Sequence, residues 1–161
     1  FVGTYKNNIY DDDNIYFGIS ECVDNNKEYA LLTDQYGLHI IDISSSEPTL
    51  KEFIRMGDKI QFWRDVDVYQ NRYAYVAAQT GGHLYVIDLS TLNDRNGVRY
   101  VNRFRLNYGH TLTVSNEEGY LILNTANTPG IVNEDRRNKA VLGCQIFDIR
   151  SNPWNPSYAS V

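Results

Sequence analysis

The stretch Tyr29-Ala30-Leu31-Leu32 leads across a turn into Leu38-His39-Ile40-Ile41-Asp42-Ile43-Ser44, and this pattern returns twice. The second copy is Tyr73-Ala74-Tyr75-Val76 followed by Leu84-Tyr85-Val86-Ile87-Asp88-Leu89-Ser90. The third is Tyr120-Leu121-Ile122-Leu123 followed, after a longer excursion, by Cys144-Gln145-Ile146-Phe147-Asp148-Ile149-Arg150. The leading tyrosines lie 44 and then 47 residues apart. The trailing aspartates lie 46 and then 60 apart, so the extra length falls between Asn124 and Gly143. A fixed period of this size is the signature of a repeat architecture.

Each unit reads as β. The apolar runs are short, rich in Val, Ile and Tyr, and punctuated by Tyr36-Gly37, Gly81-Gly82, Asn96-Gly97 and Glu118-Gly119 where hairpins need turns. A further strand is expected before each hairpin, at Gly18 to Val23, Val66 to Tyr69 and Leu112 to Ser115. Another is expected after each, at Leu50 to Arg55, Tyr100 to Leu106 and from Tyr158 onward. Four antiparallel strands per unit of about 45 residues is the pattern of propeller blades. The expected class is therefore all-β, with three blades at residues 19–57, 63–107 and 110–161, the last carrying an inserted loop at 125–142. Residues 1–18 are expected to be the end of a preceding blade or an extension.

The recurring Asp42, Asp88 and Asp148 close apolar strands, where a short carboxylate accepts backbone N–H groups and shapes the next turn. A catalytic carboxylate would normally be unique, so a structural role is expected for all three.

Composition excludes several classes. A formal charge of −5 with scattered basic residues argues against a nucleic-acid partner. No apolar run is long enough to span a membrane. Cys22 and Cys144 stand in different units, two units apart, and are expected to be unpaired or buried thiols. The three histidines, His39, His83 and His110, occupy different repeat positions, so no metal cluster and no cofactor is expected. The Asp11-Asp12-Asp13-Asn14 run lacks the ligand spacing and glycine of a calcium loop and reads as solvated. A Gly-x-Ser-x-Gly elbow and a glycine-rich phosphate loop are both missing from the sequence.

Gly-Leu-His-Ile-Ile-Asp-Ile-Ser (37–44) followed by Glu47-Pro48 resembles the LVIVD repeat, as does His-Leu-Tyr-Val-Ile-Asp-Leu-Ser (83–90). Trp63-Arg64-Asp65-Val66 and Gly109-His110-Thr111 resemble the choice-of-anchor B group of surface proteins, in which a Trp-Arg-Asp and a His-Asn pair open successive blades. Thr111 stands where that Asn is expected, so its polar contact is not carried over. The resemblance covers roughly residues 20 to 161. It implies a β-propeller, extracellular or at the cell surface, with no established enzymatic activity.

Propellers close with about four to eight blades. Three blades are expected to belong to a larger ring, completed by the remaining blades of a longer protein or by further copies of the chain.

Ligands of propellers gather near the axis, around the loops that lead into the innermost strands. Arg64-Asp65 aligns by period with His110-Thr111 and with Ser20-Glu21, which makes Glu21, Arg64, Asp65 and His110 candidates for a polar rim. In that reading Arg64 meets anions, Glu21 and Asp65 meet hydroxyls or cations, and His110 titrates. The competing and favoured reading has Arg64 and Asp65 tying adjacent blades together. Glu134, Asp135, Arg136 and Arg137, in the inserted loop, are candidates for partner contact, because long loops on rigid scaffolds often carry recognition. The expected function is a non-catalytic binding or structural module contacting protein or carbohydrate. The alternative is an enzyme with its active site on the axial face.

Overall fold

The computed structural model describes residues 16–55, 63–78, 82–92, 99–105, 109–125 and 143–159. Among the described residues, twelve strands form three separate four-stranded antiparallel sheets. The first holds β1 (Gly18–Asp24), β2 (Lys27–Thr33), β3 (Gly37–Asp42) and β4 (Thr49–Arg55). The second holds β5 (Trp63–Tyr69), β6 (Tyr73–Ala78), β7 (His83–Asp88) and β8 (Arg99–Arg105). The third holds β9 (Gly109–Ser115), β10 (Tyr120–Thr125), β11 (Gly143–Asp148) and β12 (Ser157–Tyr158). Neighbours within each sheet follow chain order, and β5 packs against both β1 and β9. The three sheets are propeller blades, with β1, β5 and β9 innermost.

The repeat is visible in the strand register. Tyr29, Tyr73 and Tyr120 stand opposite Asp42, Asp88 and Asp148 respectively. Each of these carboxylates accepts the N–H two residues on, from Ser44 (3.0 Å), Ser90 (2.9 Å) and Arg150 (3.0 Å). Each also pairs with a cation: Lys27 with Asp42, Arg72 with Asp88, and Arg150 with Asp148. One turn chemistry, used three times, ends the third strand of every blade. The β1–β2 hairpin turns through Asn25 and Asn26 at φ 50° and 63°, a left-handed pair that asparagine tolerates and sequence periodicity did not flag.

All six residues of β6 are buried, and they alternate between two cores. Ala74, Val76 and Ala78 join Cys22, Leu31 and Leu38 of the first blade, with the Trp63 and Tyr85 rings tilted against each other, centroids 4.7 Å apart. Tyr73, Tyr75 and Ala77 join Leu112, Leu121 and Phe147 of the third blade. The Tyr75 hydroxyl crosses that second seam to donate to the Pro153 carbonyl at 2.7 Å, and burial pushes its pKa up. Each large apolar side chain removed from water in these seams contributes about 1.5–3 kcal/mol. The blades are thus held mainly face to face.

One buried polar cluster sits behind the first seam. Asp34 Oδ1 accepts the N–H groups of Tyr36 (2.7 Å) and Gly37 (2.8 Å), while Oδ2 meets His39 Nε2 at 2.7 Å. Both side chains are fully buried. Burial raises the Asp34 pKa, but His39 and the two backbone donors outweigh it, leaving the carboxyl below its ordinary value. Because the folded pKa is depressed, this group adds stability above about pH 4 that disappears as the pH falls through the folded value. Asp34→Ala removes the acceptor of two N–H groups and the carboxylate partner of His39 Nε2, and should cost about 3–5 kcal/mol in urea unfolding at neutral pH. The same variant should flatten the acid limb of the stability profile. An unchanged urea midpoint would contradict this role for the pair.

Candidate functional site: the axial strands

Strand pairing corrects one part of the expected alignment. Asp65 stands opposite Ala77 and Thr111 opposite Asn124, each four residues beyond its blade's leading tyrosine. In the first blade that position belongs to Gly18, opposite Thr33, and not to Glu21. Glu21 corresponds instead to Val68 and Val114, an odd number of residues away, and its side chain is exposed. The structure therefore does not bring Glu21 into a row with Asp65.

Arg64 and Asp65 were expected ahead of a strand beginning at Val66, but both lie inside β5. Arg64 is an extra residue in the ladder, since Trp63 pairs with Ala78 and Asp65 with Ala77. His110 is the matching extra residue in β9, between Gly109 opposite Thr125 and Thr111 opposite Asn124. Two β-bulges thus open the second and third innermost strands, and bulges re-aim side chains. Arg64 lies over the Phe17 ring at 4.7 Å. The His110 side chain, and Glu134, Asp135, Arg136 and Arg137 entirely, lie outside the described residues.

Below the bulges, two carboxylates join blades through the backbone. Asp65 accepts the Val66 N–H at Oδ1 (3.0 Å) and the Leu112 N–H at Oδ2 (2.9 Å). Asp67 repeats this with Val68 (2.8 Å) and Val114 (2.7 Å), and also accepts the Ser20 hydroxyl at 3.0 Å. The four N–H donors lie on the free inner edges of β5 and β9, where no further strand can pair with them. Each carboxylate therefore bridges two strand edges, and the Asp65-x-Asp67 alternation puts both on one side. Amides continue the series: Asn116 Oδ1 accepts the Gln70 N–H at 2.8 Å, and Asn71 Oδ1 accepts that of Val23 at 3.2 Å. Sequence reasoning found Asp65 but missed Asp67, Asn71 and Asn116, although the two-residue spacing from Asp65 was a usable signal. Gly18 leaves room for this arrangement, since a Cβ there would lie 2.6 Å from Asp65 Cα.

At the far end of these strands an open cleft of about 320 Å³ is lined by Ser20, Glu21, Asp67, Gln70, Asn71 and Asn116, with Val68 at its wall. Gln70 and Asn71 hold positive φ angles of 52° and 53°. The Glu21 carboxylate and the Gln70 side-chain amide, which line this cleft, can meet hydroxyls, as Glu21 was expected to do. Among the described residues no three His, Cys, Asp or Glu side chains are grouped to hold a metal ion. Cys22 and Cys144 are free thiols, and burial, aided by Asp24, pushes the buried Cys22 up to about 11, which suppresses its thiolate.

The repeat geometry agrees with comparisons to known proteins. The family model of the LVIVD repeat matches residues 25–54 and 63–93. The chain carries two LVIVD repeats. Among solved structures it is similar to Hsv2 of Kluyveromyces lactis, with a TM-score of 0.52 and 12% identity over 92% of this chain and 37% of that one. It also matches apo AztD of Citrobacter koseri at a TM-score of 0.44 and 12% identity, covering 83% of this chain and 40% of that one, a likeness too slight to argue from. The chain thus spans well under half of either structure. A search of curated proteins finds no match. The third blade lies outside the two matched LVIVD segments, yet it repeats their aspartate turn and receives the Asp65 and Asp67 bridges. Together these findings make the chain a repeat module of propeller type. Among the described residues no helix is long and apolar enough to cross a membrane.

Asp67→Ala removes the acceptor for three close donors, two of them backbone edge groups near solvent. It should lower stability by about 2–4 kcal/mol in denaturant melts, and Gly18→Ala by about 1–3 kcal/mol through overpacking. A melt of Asp67→Ala that overlays the parent would show that the bridges are incidental.

Proposed function

We propose that this chain serves as a non-catalytic binding or structural module of a secreted or cell-surface repeat protein, contacting protein or carbohydrate. One observation carries the reading. The axial carboxylates Asp65 and Asp67, which acid–base chemistry would need free to exchange protons with a substrate, are occupied by backbone donors of two blades. Their role is cohesion, and cohesion at the axis leaves recognition to loops and rims. The polar cleft beside Glu21 and the loop bearing Glu134, Asp135, Arg136 and Arg137 are the surfaces suited to it. The resemblance of Trp63-Arg64-Asp65 and Gly109-His110 to choice-of-anchor B proteins supports an extracellular or surface location.

A second reading, an enzyme acting at the axial face, draws on the paired bulges that set Arg64 and His110 at matching positions. Two variants separate the readings: Arg64→Ala combined with His110→Ala, and a loop variant with 134–137 changed to alanine. On glycan and protein arrays the axial double variant should keep the parent's binding, while the loop variant or Glu21→Ala should weaken it at least tenfold. Lost binding in the axial variant, with an unchanged melting temperature, would move the site to the axis. An array on which the parent protein retains nothing would sink the binding reading.

A further inference from the structure

The segment joining β11 to β12 departs from the repeat. Six residues past the turn aspartate the first two units carry Pro48 and Asp94, whereas the third carries Trp154. This segment lies across the second seam and is fixed to the second blade. The buried Tyr75 hydroxyl donates to the Pro153 carbonyl at 2.7 Å, and Asn102 Nδ2 donates to the Trp154 carbonyl at 3.0 Å. Buried Pro153 and Pro156 flank the turn, which Asn155 closes by donating its N–H to the Asn152 carbonyl at 3.1 Å. The backbone is thus pinned around Trp154, yet the side chain is left 45% exposed. Its ring meets that of Tyr73 in the second blade, centroids 6.0 Å apart. Arg72 lies over the Tyr73 ring at 4.9 Å, so a polar group borders the aromatic pair. Asn155 is exposed, and its Oδ1 lies 3.5 Å from Asn102 Nδ2, which leaves the Asn155 Nδ2 group as a donor beside the indole.

We propose that the Trp154 indole is a stacking platform for one pyranose ring of a neutral glycan, with the Asn155 amide donating to a ring hydroxyl. Such a sugar presents axial C–H groups on one face and hydroxyls around its rim, so it needs one flat aromatic surface with polar neighbours. The platform is fixed before binding, which lowers the entropy cost of association. Other occupants suit it less. A half-exposed indole offers about 100 Å², far below the roughly 800 Å² per partner of a stable protein interface. Proline-rich peptides use grooves lined by aromatic rings, and Tyr73, 4% exposed, supplies no second ring. A stacked nucleobase brings phosphates, which a formal charge of −5 disfavours. The inference rests on the carbohydrate half of the proposed function and places a contact away from Glu21 and from residues 134–137.

The sequence holds two tryptophans, and Trp63 is fully buried, so acrylamide quenching of the isolated protein reads Trp154. Cellohexaose, chitohexaose and lactose serve as probes at millimolar concentration. At least one should protect the quencher-accessible fluorescence and give a calorimetric titration. Trp154→Ala should weaken that titration by about tenfold or more. Trp154→Phe, which keeps a flat ring, and Glu21→Ala should stay near the parent. Protection by none of the three sugars, or by decaproline in their place, would overturn the platform, even where the parent binds a glycan array through Glu21 or residues 134–137. Unchanged titration of Trp154→Ala would overturn it as well.

Discussion

The innermost strand of a propeller blade has one edge that no strand can pair, because the blades meet there edge to edge around an axis. Every second N–H along that edge needs an acceptor, and an orphaned one costs about 1–3 kcal/mol when water is excluded. Asp65 and Asp67 answer this with one device used twice. Each carboxylate takes an N–H of its own strand and one of the next. Satisfying the edge and joining the blades become a single interaction. The face-to-face cores supply more free energy, but burial of apolar area is non-directional. The carboxylate bridges fix which residue of β9 lies beside which residue of β5.

The middle blade shows what full incorporation demands. Its second strand, Tyr73-Ala74-Tyr75-Val76-Ala77-Ala78, is apolar on both sides because both sides are covered. The corresponding Lys27–Thr33 strand alternates between buried and accessible residues, since only one side meets a neighbour among the described residues. The aspartate turn at Asp42, Asp88 and Asp148 is indifferent to this difference. It depends only on local geometry and a nearby cation, so it recurs unchanged in all three blades.

That contrast explains what was legible in the sequence. Period, strand runs and the recurring aspartates are local, and they placed the three sheets and the structural role of Asp42, Asp88 and Asp148. The alignment of Glu21 with Asp65 failed because the hairpins run different lengths beyond their leading tyrosines: six residues separate Cys22 from its partner Tyr29, three separate Tyr69 from Tyr73, and four separate Ser115 from Tyr120. Counting along the chain absorbs such differences into the wrong strand, and an odd error reverses the side of the sheet. Arg64 and His110 aligned correctly because both blades carry the same bulge. The Asp34–His39 pair was invisible for another reason. It joins a turn to a strand interior, and periodicity reads His39 only as a polar interruption of an apolar run.

Amide hydrogen exchange at Val66, Val68, Leu112 and Val114 tests the central claim most directly, because these are edge groups with no strand partner. If Asp65 and Asp67 capture them, their protection should match that of strand-paired amides in β6 and β10. Exchange at the rate of an exposed edge amide would show that the carboxylates do not hold the blades together.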